Sequence, residues 1–177
     1  MVKYKSELFS LFIFLLGMVL AFVVISNSTA MMEGTAMPRV NVDEILERFD
    51  PGAYPFITIL VNNLLVALLI LGLGFITGGA GALIILFFNG YLFGLICVLG
   101  LSSMDPFTFV IKLLHGPTEI FAFILCSAMA LRGFRFYRAL LEKQVFQTHL
   151  IPNKKELLLP IILIVCSALI ESICLKY

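Results

Sequence analysis

Charge is what this sequence has little of. Only 13% of its 177 residues are Asp, Glu, Lys or Arg, while 61% are hydrophobic and the mean hydropathy is +1.09. A soluble domain carries about 25% charged residues and about 45–50% apolar ones. The shortage excludes a soluble globular domain, a disordered chain and a disulfide-stapled secreted module. A net charge of +1 leaves no electrostatic footprint for nucleic acid. Motifs that carry chemistry are scarce too. There are two histidines, no H-E-x-x-H, no G-x-S-x-G, no P-loop and no evident pair of intramembrane glutamates. The four cysteines, Cys97, Cys126, Cys166 and Cys174, fall inside apolar runs without metal-type spacing, so they read as small buried hydrophobes.

What is present is a series of long apolar runs. Leu8 to Ile25, Phe56 to Ile76, Ala80 to Leu101, Phe107 to Leu131 and Leu157 to Leu175 are each long enough to cross a hydrocarbon layer. Each must be a helix, because a lone strand would leave its backbone unpaired in lipid. The chain is therefore expected to be one all-α integral membrane domain, 1–177, of about five transmembrane helices in contact with the lipid bilayer. The second and third runs are joined by Thr77-Gly78-Gly79-Ala80-Gly81, whose glycines permit positive φ and a reversal in few residues. Ser or Asp in the link Ser102-Ser103-Met104-Asp105-Pro106 is placed to cap the following helix.

Lys and Arg set the orientation. The N-terminus has Lys3 and Lys5, loop 26–55 has Arg39 and Arg48, and loop 132–156 has Arg132, Arg135, Arg138, Lys143, Lys154 and Lys155. This predicts a cytoplasmic N-terminus and a cytoplasmic 132–156. The map fails beyond residue 106 if the fourth segment is re-entrant. A removable leader over residues 1–30 is a minor alternative. Lys3 and Lys5 precede the apolar run and Ser28-Thr29-Ala30 follows it, but the run exceeds the usual 7–15 residues. Asn27-Ser28-Thr29 is a glycosylation sequon, meaningful only in a eukaryotic lumen, and no modification is expected.

The fourth run is unusual because Lys112, His115, Gly116, Pro117 and Glu119 interrupt it. Ionisable groups at that depth are costly and face protein or water. His115 and Glu119 are four apart and share a helix face. Gly116 and Pro117 make a break or kink, since Pro lacks the backbone donor and clashes with the preceding turn. One reading is a polar intramembrane centre of His115, Glu119, Lys112 and, from the third run, Asn89. The plainer reading is a helix start, with Pro117 at its first position and Glu119 in its first turn. No catalytic residue and no metal ligand set is assigned. An intramembrane hydrolase would need a third polar ligand near His115, and the sequence does not identify one.

On the third run, Gly90 and Gly94 form a G-x-x-x-G beside Asn89, which lets a neighbouring helix approach closely. Packing within the chain is the expected use, and a homo-oligomer face is the sharper alternative. Asn62 and Asn63 lie at a different depth from Asn89 across the hairpin, and Asn63 reads as the interfacial start of its span. In loop 26–55, Val42, Ile45, Leu46 and Phe49 make a short amphipathic helix over Asn41 to Asp50, with Asn41 and Glu44 as a cap pair. It is expected on the outer ends of the spans or against an extracytoplasmic partner. After the fourth run, Arg132, Arg135 and Arg138 continue the helix with Arg138–Glu142 as an i,i+4 pair. That segment suits anionic headgroups or a docking partner.

In order and spacing these landmarks resemble the stage II sporulation protein M family of bacterial and archaeal membrane proteins. The matching elements are Lys3-Tyr4-Lys5 ahead of a Gly17-bearing span, Asn63 on the second span and the glycine-rich hairpin. Asn89-Gly90-x-x-x-Gly94 and His115-Gly116-x-x-Glu119 complete the set. Many relatives have Pro directly before the His-Gly pair; here Leu114 stands there and Pro117 follows. The resemblance implies a multi-pass cell-membrane protein with no established enzyme activity and no cofactor. It also implies a scaffold or assembly partner for other membrane or extracytoplasmic proteins. Smaller relatives that occur beside bacteriocin genes imply an alternative, the membrane subunit of a peptide export or immunity system with an ATPase subunit nearby. A small-solute or ion transporter is a further alternative.

Overall fold

The computed structural model describes residues 5–31, 55–142 and 150–174. The expected helix at 41–50 and the residues at 32–54 lie outside these. The described chain is all helix apart from turns. It comprises α1 (Lys5–Met31), α2 (Pro55–Ile76), α3 (Ala80–Ser103), α4 (Pro106–Leu113), α5 (Gly116–Ala130), α6 (Arg132–Leu141) and α7 (Lys154–Cys174). Five stretches are long and apolar enough to cross a membrane, with α4, α5 and α6 together forming the fourth.

The core lies around α5, whose residues from Ala122 to Ala130 are almost all buried. It packs on α1, α2, α3 and α7. Each outer helix buries a narrow stripe and turns its remaining apolar side chains outward, where lipid is the solvent. On α2 the stripe is Ile59, Asn63, Ala67, Ile70 and Gly74, at helical spacing. Ala82 of α3 and Ala130 of α5 meet at Gly74. Small residues permit this approach, which in lipid must come from packing rather than from hydrophobic drive.

The most extensive pairing is α1 on α3. Gly17 faces the backbone of Phe87, Gly90 faces the carbonyl of Phe14, and Gly94 faces Met18 and Ala21. The G-x-x-x-G of α3 thus packs against a helix of its own chain. Ser10 and Ser127, both fully buried, share a 3.0 Å hydroxyl hydrogen bond between α1 and α5. The α2–α3 hairpin turns on Gly78 and Gly79 at φ 65° and 103°, conformations that cost a side-chain-bearing residue.

The fourth segment crosses and does not return. Its α4 end meets α3 and α7, with Phe109 buried against Gly100, and its other end meets the hairpin, where Gly79 lies on Leu131 and Gly133 on Phe75. The kink is therefore a break between α4 and α5 and not a re-entrant loop. Asp105 caps α4, accepting from the backbone N–H groups of Phe107 and Thr108. At ~1.5 Å per residue, the 36 residues from Pro106 to Leu141 would reach roughly 54 Å, well beyond a hydrocarbon layer of about 30 Å. Parts of α4 and α6 must therefore project from that layer or lie along its surface.

Candidate functional site

The break between α4 and α5 positions the ionisable groups. Helix α4 ends at Leu113, and α5 starts at Gly116 with Pro117 in its first turn. The carbonyl of His115 collects the bonds that restart the helix. It accepts from the backbone N–H of Thr118 and of Glu119, from the Thr118 hydroxyl at 2.6 Å and from the Ser167 hydroxyl of α7 at 3.4 Å. Glu119 then falls in the first turn of α5, one turn above His115, and the helix-start reading and the polar-cluster reading describe the same feature.

His115 Nε2 lies 4.0 Å from Glu119 Oε2 and 3.5 Å from Oε2 of Glu171, near the end of α7. One ligand atom from each of the three lies within 4.8 Å of the others. The side chains are 19, 21 and 26% exposed, so the cluster is sheltered but reachable. Asn63, 5% exposed on the buried stripe of α2, brings its side chain to Glu119, yet its amide nitrogen completes no hydrogen bond. His115 Nδ1 is likewise buried without a partner.

The depth follows from helix arithmetic. Arg132 and Glu156 pair at 2.8 Å near the hairpin end. Glu171 is fifteen residues further along α7, or ~22 Å. The cluster therefore lies toward the end of the bundle away from the hairpin.

The sequence-level site is corrected at several points. His115 and Glu119 come together, with Gly116 buried against Phe93 and Pro117 exposed in the first turn of α5. Lys112 does not join them and is exposed. Asn89 does not join them either, because its amide donates back to the Ile85 carbonyl at 2.8 Å on its own helix. Asn63 faces the core, on the buried stripe of α2. A pair of glutamates does meet, and Glu171 is the third polar group that the sequence reading lacked.

A family model described as Stage II sporulation protein M matches residues 10–174. The chain belongs to the stage II sporulation protein M family. No curated protein and no solved structure matches it. The matched region begins within α1, runs to the end of α7 and takes in all of the cluster, so this chain of the family carries a His/Glu/Glu group near one end of its bundle.

Proposed function

We propose that the protein is a non-catalytic membrane assembly partner, whose bundle anchors it and whose projecting ends hold other membrane or extracytoplasmic proteins. The observation that carries this reading is α6. It continues the fourth span past the hairpin, held to α2 by Gly133 on Phe75 and by Phe136 and Tyr137 against the Phe75 ring at 5.5 and 6.4 Å. Its other sides present Arg135, Arg138, Phe134, Leu140 and Leu141, all exposed, with Leu141 at 83%. A mixed apolar and arginine surface beside the membrane suits a partner helix or anionic headgroups. Family membership is consistent with an assembly role. By the arginine-rich segment, this end would be cytoplasmic.

The test is photo-crosslinking in cells from a probe at Leu141, together with Arg135→Glu. The reading expects an integral membrane or envelope-remodelling protein captured at Leu141, lost in Arg135→Glu and retained in Glu119→Gln. Capture of lipid alone, or loss of function in Glu119→Gln with partners still bound, would remove it.

One observation favours a second reading, a metal-dependent intramembrane hydrolase: Glu171 supplies the third donor that such chemistry requires. Hydrolysis that depends on Glu119 and Glu171 would establish it.

A further inference from the structure

We infer that His115, Glu119 and Glu171 bind a divalent transition-metal ion of the zinc class, tying the start of α5 to the end of α7. The inference stands apart from the assembly reading, which needs no metal, and supplies what the hydrolytic reading would need.

Donor chemistry is the first argument. An imidazole nitrogen and two carboxylates are a ligand set zinc accepts at about 2.0–2.2 Å, with a fourth position left for water or another ligand. Tetrahedral bonds of that length put neighbouring donors about 3.3 Å apart. The present separations are 3.5 Å and 4.0 Å from His115, with all three atoms inside 4.8 Å. Rotation of the two glutamate side chains, by no more than about 1.5 Å at their oxygens, closes the set.

Charge is the second argument. Two carboxyl groups converge on one imidazole among apolar helices. Carboxylates ionised there need a positive partner, and a dication supplies it.

Asn63, beside Glu119, is the third argument. It is a buried amide on a different helix, aimed at Glu119, with its nitrogen unpartnered. A carboxylate that gives one oxygen to a metal presents its other oxygen to such a donor, the usual way in which an outer group orients a ligand. The backbone of His115 is already fixed by Thr118 and Ser167, so the ring is presented from a braced position.

The experiment uses the full chain in lipid nanodiscs, stripped with a chelator, re-equilibrated with zinc and assayed by elemental analysis. Zinc K-edge absorption then reports the donor atoms. The expected result is about one zinc per chain retained through gel filtration, with nitrogen and oxygen donors only. Affinity should fall at least 10-fold in Glu171→Gln and in Glu119→Gln. In Asn63→Ala it should fall roughly 10-fold, in line with the loss of an outer-sphere partner. Lys112→Gln and Asn89→Ala should bind as the parent does. A parent that retains no zinc, sulfur in its coordination sphere, or undiminished affinity in Glu171→Gln would each overturn the inference. The first two results come from the unmutated chain and so do not depend on any variant folding.

Discussion

Nε2 of His115 stands 3.5 Å from Oε2 of Glu171, on a helix that starts where α7 ends. The same nitrogen is 4.0 Å from Glu119, so one imidazole lies against two carboxyl groups that are themselves within 4.8 Å of each other. Even without metal this arrangement joins α5 to α7. In chelator, His115→Ala should destabilise the bundle, because it leaves two acids without their shared partner. The double variant His115→Ala/Glu171→Ala should cost less than the sum of the single changes, with a coupling of about 0.5–3 kcal/mol. Denaturant unfolding in mixed micelles measures it. Strict additivity would mean that the groups are neighbours without interaction.

Two glycines in the bundle predict opposite outcomes for the same change. A Cβ at Gly90 would collide with the carbonyl of Phe14, while at Gly72 nothing lies within 4 Å. Gly90→Ala should push α1 from α3 and cost about 1–3 kcal/mol, the range for overpacking. Gly72→Ala should be neutral or stabilise by up to about 1 kcal/mol, since Ala is the better helix former. Thermal unfolding of the two variants beside the parent decides the matter, and equal shifts would contradict the packing described for α1 and α3.

Local signals were readable from the sequence, and cross-chain register was not. The five apolar runs, the Gly78-Gly79 reversal, the Asp105 cap and the His115–Glu119 spacing each depend on residues close in the chain. Glu171 was missed because its partner is set by how α7 aligns antiparallel to α5. A clue was nevertheless present. If Arg132 and Glu156 meet near the hairpin, counting back along α5 and forward along α7 brings His115 and Glu171 to similar heights. Asn63 was assigned a depth but no facing. Its neighbours Ile59, Ala67 and Ile70 mark the buried stripe on which it falls. Lys112 lies i,i+3 from His115, yet its side chain is exposed, and spacing along one segment does not decide that.

Asp105 lies outside the spans and gives a pH prediction. Hydrogen bonds from Thr108, with a further one from Phe107, hold its carboxyl below the usual carboxylate range. A depressed folded value means that the cap is at full strength above the unfolded pKa of about 3.9 and weakens as pH falls through the lower folded value. Hydrogen-exchange protection of α4, corrected for intrinsic rates, should therefore hold from neutral pH to about 4 and decline below it. Asp105→Asn should keep the cap but lose the decline, because Asn caps without titrating. Protection that falls equally in both proteins would place the acid response elsewhere.

Asn153 and Glu156 close the start of α7 in a way that ties two spans together. The Asn153 side chain accepts from the backbone N–H of Lys155 at 2.9 Å and of Glu156 at 3.0 Å, and Glu156 Oε2 accepts from the Asn153 N–H at 3.1 Å. This is a capping box. The other oxygen of Glu156 accepts from Arg132 at 2.8 Å, so the carboxylate serves its own helix and the start of α6 at once. Asn153→Ala removes only the cap and should cost about 0.5–2 kcal/mol. Glu156→Gln keeps an acceptor for the Asn153 N–H but discharges the pair with Arg132, which is partly exposed, at 27 and 33%. Its cost should be smaller, up to about 1 kcal/mol, and should shrink in high salt, whereas the Asn153→Ala cost should not. Unfolding of both variants at low and high ionic strength separates the contributions. A salt-sensitive Asn153→Ala, or a salt-insensitive Glu156→Gln with a cost as large, would show that the ion pair and the cap cannot be divided this way.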